Sequence, residues 1–162
     1  MRIHIATDHA GLELSQHIQT HLREQGHEVV DHGPTSYDPL DDYPAFCINA
    51  AQAVVKDQRA GVRSLGVVFG GSGNGEQIAA NKVKGIRAAL VWNESTALLA
   101  RQHNDANVIS IGARQHTEEE ALRFIDLFIA EPFSEEERHV RRIAQLAEFE
   151  ATGDIAGKGV DH

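Results

Sequence analysis

The chain has 162 residues, of which 41% are hydrophobic, so it is long enough for one well-packed domain and is not an intrinsically disordered protein. Its formal charge of −9 at pH 7 argues against general affinity for nucleic acid or for anionic membranes. Its apolar runs are far shorter than a membrane span and the N-terminus lacks a signal-peptide pattern, which together predict a cytoplasmic protein with no membrane partner.

The first half of the chain alternates short apolar runs with an amphipathic stretch. Residues 3–6 are predicted to form a strand, and residues 10–25 form a helix after it. A second strand over residues 28–31 opens onto a loop rich in Gly, Pro and Asp that extends to residue 43. A helix over about residues 44–56 follows, with proline as an early residue.

The second half repeats this alternation around a turn that is dense in glycine. A strand over residues 65–69 leads through this turn into a helix that ends at about residue 83. A strand over residues 88–91, a helix over residues 94–104 and a strand over residues 108–111 follow. The pattern therefore contains five strands, each separated from the next by a predicted helix.

Two capping boxes predict the last two helices. Thr117 is followed three residues later by Glu120 at the start of a helix that extends to about residue 130, and Ser134 stands in the same relation to Glu137 before a helix over about residues 135–150. Residues 151–162 are rich in Gly and poor in apolar residues, which predicts a flexible tail.

Strands that alternate with helices indicate an α/β protein with a five-stranded parallel sheet between two helical layers, a three-layer α/β/α Rossmann-like fold. We expect one domain over residues 1–150. Ligands on such sheets bind where the strands end at their carboxyl side. This edge is predicted to hold the following segments: Asp8 and His9, residues 70–76, Trp92 and Asn93, and residues 112–114.

The glycine-dense turn carries the clearest chemical signal in the sequence. Residues 67–77 read as a buried strand, a turn with four glycines and the first helical turn, which contains Glu76. A turn without side chains lets backbone N–H groups reach a ligand, and a helix N-terminus favours negative charge. A carboxylate at this place suits proton abstraction next to a carbonyl, although it is also a common feature of ordinary helix starts.

No nucleotide cofactor and no metal are predicted. The turn lacks the Lys and Ser/Thr of a Walker A motif and the third glycine of the dinucleotide fingerprint. The ten histidines are scattered without the spacing that places two ligands on one helical face. The single Cys47 excludes an internal disulfide and a cysteine-based zinc site, and we expect it to be a packed thiol in the core.

Other candidate residues each have a structural and a functional interpretation. Asp8 caps the following helix or takes part in chemistry, and His103 either stabilises the end of the fourth helix or carries protons. Arg138 and Arg142 are four residues apart on one face of the last helix. They pair with neighbouring glutamates or hold a phosphate dianion, for which Arg114 would supply a third guanidinium group.

The motifs taken together resemble the ribose-5-phosphate isomerase B family. The resemblance covers about residues 2–150 and depends on the joint occurrence of the glycine turn, the Ala-Ala-Asn-Lys-Val segment at residues 79–83 and the arginine-bearing last helix. The Asp-Asp-Tyr-Pro segment at residues 41–44 is similar to the form seen in actinobacterial members.

The resemblance implies that the chain interconverts ribose 5-phosphate and ribulose 5-phosphate through a cis-enediolate, in the non-oxidative pentose phosphate pathway and without a metal or other cofactor. By the same resemblance, Glu76 moves the proton between C2 and C1, and His103 opens the sugar ring with Asp8 as its proton-transfer partner. Ser72 and the loop backbone stabilise the enediolate oxygen.

The resemblance also implies a substrate-binding set and an assembly. The predicted binding residues are His9, Tyr43, Gly71, Gly73, Asn74, Gly75, Asn104, Arg114, Arg138, His139 and Arg142. Within this set, Tyr43 would cover the ligand, and His9 and the three arginines would hold the phosphate. Members are homodimers whose sites draw residues from both chains, and further assembly into a dimer of dimers stays open.

Three alternatives remain at this point. Another branch of the family has a cysteine base where this chain has Gly70, so the mechanism here depends on Glu76. The substrate could instead be a six-carbon sugar phosphate, such as galactose 6-phosphate or allose 6-phosphate. The chain could also be a phosphosugar-binding module without catalysis, which would need the glycines and arginines but no base.

Overall fold

The computed structural model describes residues 1–155, and these residues form one parallel sheet between helices. The strands are β1 (Arg2–Ala6), β2 (Glu28–Asp31), β3 (Ser64–Gly70), β4 (Ala88–Leu90) and β5 (Val108–Gly112). The helices are α1 (Leu12–Glu24), α2 (Tyr43–Arg59), α3 (Asn74–Ala80), α4 (Glu94–Asn104), α5 (Glu118–Ala130) and α6 (Glu137–Thr152). The predicted α/β fold and the order of its elements are confirmed.

The five strands lie in the order β2-β1-β3-β5-β4, and every neighbouring pair is parallel. The central strand β3 is buried along its whole length, because both faces of the sheet are covered by helices. Its near-continuous apolar sequence follows from that position. Since β1, β3 and β5 are adjacent, the segments that follow these three strands meet at one edge of the sheet.

Two apolar clusters form the core, one on each face of the sheet. One cluster packs α1, α4 and α5 against the sheet, with Ile18, Phe69 and Phe128 among its buried members. The other packs α2 and α3 against the opposite face and includes Cys47 and Val68. Burial of each large apolar side chain stabilises the fold by about 1.5–3 kcal/mol. The prediction that Cys47 is a packed thiol in the core is confirmed.

The start of α5 agrees with the sequence pattern, whereas the start of α6 does not. The Thr117 hydroxyl accepts a hydrogen bond from the Glu120 main chain, and the Glu120 carboxylate accepts one from the Thr117 main chain. The box predicted at Ser134 was wrong, because its hydroxyl contacts the His139 ring and α6 begins only at Glu137.

Other helix boundaries differ from the prediction for local reasons. A turn of 3₁₀ helix over His9–Gly11 precedes α1. The helix α3 ends at Ala80 rather than near residue 83, because the Asn81 side chain binds both the N–H and the C=O of Ala88. The helix α2 is longer than predicted and extends to Arg59.

The last described helix continues beyond the predicted boundary at residue 150. It ends at Thr152, where Gly153 takes a left-handed conformation with φ of 76°. Residues 151–155 belong to the predicted tail, and the rest of that tail, residues 156–162, lies outside the described residues. Within residues 1–155, every helix falls short of the length and apolar character needed to cross a membrane.

Candidate active site

The glycine loop after β3 is fixed by hydrogen bonds to the neighbouring strand. The N–H of Ala113 donates to the C=O of Gly70 at 2.7 Å, and the N–H of Arg114 donates to the C=O of Gly71 at 3.1 Å. The Ser110 hydroxyl donates to the C=O of Gly73 at 2.7 Å. The loop is therefore a rigid connection between β3 and α3, placed at the carboxyl edge of the sheet as predicted.

At two glycines of this loop, the absence of a side chain leaves space that the side chain of another residue fills. A Cβ atom at Gly70 would collide with the carboxyl group of Glu76. A Cβ atom at Gly75 would lie 2.5 Å from Cζ of the Tyr43 ring. The carboxyl group of Glu76 therefore packs directly on the end of β3, and the Tyr43 ring lies against the loop.

Glu76 is a buried carboxyl group, with 4% of its surface exposed. Burial raises its pKa, its own main-chain N–H partly opposes this, and the nearby Asp8 raises the pKa further. The helix N-terminus would lower the pKa of this carboxyl group, and burial outweighs that effect. A carboxylate with a raised pKa holds an abstracted proton more firmly, which suits a general base.

Asp8, which is also buried, follows β1 at the same edge. Its Oδ1 atom accepts a hydrogen bond from the N–H of Ala10 at 2.8 Å, so it caps the 3₁₀ turn. It also lies close enough to Glu76 to affect the pKa of that group. The structural and the functional interpretation of Asp8 are therefore compatible.

Sequence reasoning missed Asp41, which it treated as part of an acidic loop. The Oδ1 atom of Asp41 lies 2.7 Å from Nδ1 of His9 and also accepts the main-chain N–H of His9 at 3.2 Å. The two residues are far apart in the sequence, and no local pattern links them. Only the path of the loop over residues 32–42, which lies outside helix and strand, brings them together.

Asp8, His9 and Asp41 also form a group that could hold a cation. Each residue offers one ligand atom, and these atoms all lie within 4.8 Å of one another. The sequence-based prediction of no metal relied on ligand spacing along a helix, which does not detect groups assembled from separate segments. Because His9 already binds Asp41 through Nδ1, a cation would compete with an existing hydrogen bond.

Most of the predicted site residues lie at this edge. Arg114 is exposed, and its Nη1 atom would lie 3.2 Å from a Cβ atom at Gly71. Ser72 is exposed, and its hydroxyl accepts the N–H of Asn74 at 3.3 Å. We call these residues the carboxyl-edge group: Asp8, His9, Tyr43, Gly71, Ser72, Gly73, Asn74, Gly75, Glu76 and Arg114.

The remaining predicted residues lie at the opposite edge of the sheet. The helix α4 starts at the carboxyl edge and has 11 residues, so its last turn is about 16 Å away. There, the C=O of Asn104 accepts a hydrogen bond from Arg87, which directly precedes β4. We call these residues the amino-edge group: His103, Asn104, Arg138, His139 and Arg142.

Within the amino-edge group, two histidine rings lie in contact. The ring centroids of His103 and His139 are 4.3 Å apart, and Nδ1 of His139 lies 2.8 Å from the Ser134 hydroxyl. His139 is buried, and burial, together with the charges of His103, Arg138 and Arg142, lowers its pKa. The lowered pKa favours the neutral form of His139, and the ring of His103 packs against it.

The two arginines of this group lie on the surface, whereas the histidine between them in the sequence is buried. Both Arg138 and Arg142 are exposed. Nε of Arg138 lies 2.8 Å from an oxygen of Glu136, so the predicted alternative of pairing with neighbouring glutamates holds for this residue. The structure therefore does not bring the arginines of α6 to Glu76 within one chain.

An apolar groove of about 710 Å³ lies between α6 and the region around β4. Its walls include Trp92, Ile143, Leu146, Ala147 and Phe149. Trp92, Leu146 and Phe149 are each more than half exposed, which is unusual for large apolar side chains that lie close together. We refer to this surface as the α6 groove.

Comparisons with known proteins identify one family, and its match spans nearly all of the sheet. The family model described as Ribose/Galactose Isomerase matches residues 3–146. Ribose-5-phosphate isomerase B of Mycobacterium tuberculosis is 56% identical over 152 residues, which cover 94% of this chain and 91% of that protein. A probable ribose-5-phosphate isomerase B of Mycoplasma pneumoniae is 45% identical over 148 residues, with 91% and 94% covered.

A solved structure shows the same architecture. The crystal structure of ribose-5-phosphate isomerase B from Mycoplasma genitalium, with bound ribulose-5-phosphate, matches with a TM-score of 0.86 and 42% sequence identity. The match covers 93% of this chain and 97% of that one. Similarity in sequence and in structure therefore extends over nearly the same part of the chain.

Proposed function

Because the chain belongs to the ribose/galactose isomerase family, we propose that it interconverts D-ribose 5-phosphate and D-ribulose 5-phosphate. The observation that carries this proposal is the buried carboxyl group of Glu76, which packs on the end of β3 beside a glycine loop. A module that only binds phosphosugars has no use for a buried carboxylate with a raised pKa.

The reaction needs one base and one anion-stabilising surface. Glu76 removes the proton from C2 of the open-chain aldose, and the C–H electron pair forms the C1–C2 double bond of a cis-enediolate as the C1 carbonyl becomes O⁻. The proton of the C2 hydroxyl passes to O1, the proton held by Glu76 returns to C1, and the oxygen on C2 becomes the carbonyl of ribulose 5-phosphate. The loop N–H groups and the Ser72 hydroxyl stabilise the enediolate oxygen, which is worth roughly 3–4 kcal/mol for one such donor.

We assign the chain to the branch of the family that uses glutamate as its base. A residue larger than glycine at Gly70 would take the volume that the Glu76 carboxyl group occupies. The other acidic side chain of interest, the thiol of Cys47, is fully buried in α2. Burial raises its pKa strongly, and Glu76 and Asp8 raise it further, so this thiol stays protonated and is not a base.

The amino-edge group completes the site from a second copy of the chain. His103 opens the furanose ring with Asp8 as its proton-transfer partner, and Arg138 and Arg142 bind the phosphate together with Arg114. In one chain, His103 and the arginines of α6 lie at the other edge of the sheet from Glu76. The exposed apolar side chains of the α6 groove, such as Leu146 and Phe149, support a homodimer because they need a partner surface.

The proposed enzyme consists of one domain over residues 1–150 and works in the cytoplasm, in the non-oxidative pentose phosphate pathway. It needs no metal, because Glu76 supplies the base and the glycine loop supplies the anion-stabilising donors. The contact between His9 and Asp41, with Asp8 close to it, serves the substrate rather than a cation.

A coupled assay of ribulose 5-phosphate formation, run with excess EDTA, tests reaction, substrate and metal independence together. We expect full activity with EDTA and a kcat/KM for ribose 5-phosphate far above those for galactose 6-phosphate and allose 6-phosphate. Comparable or inverted kcat/KM values would overturn the substrate. Loss of activity in EDTA that returns with a divalent cation would overturn the metal independence and point to the Asp8, His9 and Asp41 group.

A further inference from the structure

We propose that Asp41 is a positioning residue that sets the tautomer and the orientation of His9, so that Nε2 of His9 faces the phosphate of the substrate. This inference rests on the proposed function, because it takes the phosphate of a sugar phosphate as the ligand of His9. The sequence motifs include Asp41 only as part of the segment at residues 41–44 and assign it no role.

One carboxylate oxygen of Asp41 takes part in two hydrogen bonds with His9. Oδ1 of Asp41 lies 2.7 Å from Nδ1 of the His9 ring and 3.2 Å from the His9 main-chain nitrogen. An ionised carboxylate only accepts hydrogen bonds, so the ring proton is on Nδ1. Two bonds to one residue fix both the backbone and the ring, which a single bond to a flexible side chain would not do.

The arrangement leaves the other ring nitrogen for a ligand. The His9 side chain is 23% exposed, whereas that of Asp41 is only 8% exposed. The carboxylate is thus shielded from water behind the ring, and Nε2 is the ring atom that a ligand can reach. A phosphate placed on that side would lie across the imidazole ring from the Asp41 carboxylate, so the ring connects the two groups.

Through His9, Asp41 also joins the loop over residues 32–42 to the segment that follows β1. The residues before it include Tyr37 and Leu40, which are 66% and 86% exposed, and the Tyr37 ring meets the edge of the His9 ring at a centroid distance of 6.0 Å. Oδ2 of Asp41 is buried without a hydrogen-bond partner among residues 1–155. A buried acceptor left without a partner lowers stability, which favours a functional over a purely structural reason for this carboxylate.

The neighbouring Asp42 provides a matched control. It is exposed, it precedes α2, and its side chain makes no capping hydrogen bond. It carries the same charge on the same loop without touching His9. A general effect of negative charge near the site would therefore appear in both variants, whereas an effect through His9 would appear only at Asp41.

Steady-state kinetics of Asp41→Ala, Asp41→Asn, Asp42→Ala, His9→Ala and the double variant Asp41→Ala/His9→Ala test the inference. We expect Asp41→Ala to raise KM for ribose 5-phosphate about tenfold, with kcat changed less than about threefold. Asp41→Asn keeps an acceptor for His9 but not the charge, so its KM should lie between wild type and Asp41→Ala. Asp42→Ala should behave as wild type.

The double variant separates a positioning role from a structural one. If Asp41 acts through His9, its replacement in the His9→Ala background raises KM no further. Additive increases in KM, or a loss confined to kcat, would overturn the inference. If Asp41→Ala does not fold, Asp41→Asn alone carries the test, and an unchanged KM in that variant would overturn it.

Failure of the proposed function would give a different result. An inactive wild-type protein would contradict the isomerase assignment but leave the contact itself open to measurement. In ¹⁵N NMR spectra, the His9 ring should show a protonated Nδ1 in wild type and lose this preference in Asp41→Ala. A ring without that preference in wild type would contradict the positioning role whatever the activity.

Discussion

The carboxyl-edge group and the amino-edge group differ in how the chain builds them. The first is made by strand ends and a glycine loop, whose main-chain hydrogen bonds hold Glu76 in a fixed place. The second is made by helix ends, where His103 rests on the buried ring of His139 and two arginines stay exposed. In the proposed mechanism, the first group supplies the base and the anion-stabilising loop, and the second supplies the cations that bind the phosphate.

Burial acts on both groups with opposite signs. It raises the pKa of the acid Glu76 and lowers the pKa of the base His139, because in each case it disfavours the charged form. For Glu76, the result is a carboxyl group that holds a proton more firmly, as the proposed base requires. For His139, the result is a neutral support beside the charged arginines. The comparison indicates that the two edges have different tasks, and the following variants test that division.

The largest effect is expected for Glu76→Gln, which keeps the shape of the side chain and removes the base. We expect kcat to fall by about 10² to 10⁴, with only a modest change in the affinity for ribulose 5-phosphate. Activity measurements together with calorimetric titration of the product check both parts. Retained activity in Glu76→Gln would show that the base lies elsewhere. If the protein only binds phosphosugars, the wild type itself will be inactive.

The next largest effect is expected for Gly70→Ala, because the added Cβ atom would collide with the Glu76 carboxyl group. Displacement of that group by about 1 Å should lower kcat about 100-fold. Gly26→Ala is the control: Gly26 has φ of 85° and open space around it, so this variant should lose about 1–2 kcal/mol of stability without loss of kcat. Equal kinetics for the two variants would contradict the packing role of Gly70.

A smaller effect, on binding rather than on turnover, is expected for the amino-edge group. Arg142→Ala should raise KM for ribose 5-phosphate about tenfold, because it removes a charge-assisted contact to phosphate. Arg123→Ala is the control, since Arg123 pairs with Glu94 on the surface. A change confined to kcat in Arg142→Ala would argue against a phosphate-binding role.

The smallest expected effect is a shift in the pH profile of kcat/KM. Glu76 must be ionised to accept a proton, and its pKa is raised by burial and by Asp8. As pH falls through this raised pKa, the base becomes protonated, so kcat/KM should fall at a higher pH than for an ordinary glutamate. Asp8→Asn removes one negative charge, and the acidic limb of its pH profile should move to lower pH. A limb that stays in place or moves to higher pH would contradict the coupling between the two carboxyl groups.

Patterns that lie within a short stretch of sequence predicted the structure well. The alternation of apolar runs and amphipathic stretches predicted the parallel sheet, and the box from Thr117 to Glu120 predicted the start of α5. The glycines beside Glu76 predicted a tight strand-to-helix turn. In each case, the physical cause acts between residues that are close in the chain, so the sequence alone contains the signal.

Features that depend on distant contacts could not be predicted. Ser134 fits the pattern of a helix cap, but its hydroxyl contacts the ring of His139, which is buried in the folded chain. The pairing of Asp41 with His9 depends on the path of a loop outside helix and strand. The separation of His103 from Glu76 follows from the direction of α4 relative to the strands, which becomes clear only in the folded chain.

The most direct test of the proposed shared site is a complementation experiment with Glu76→Gln and His103→Ala. Each variant alone should be nearly inactive, and an equal mixture that is unfolded and refolded should recover about a quarter of the wild-type activity. Half of the dimers then contain both variants, and one of the two sites in each such dimer has an intact Glu76 opposite an intact His103. No recovery above the two variants alone would contradict a site built from the carboxyl edge of one chain and the amino edge of another.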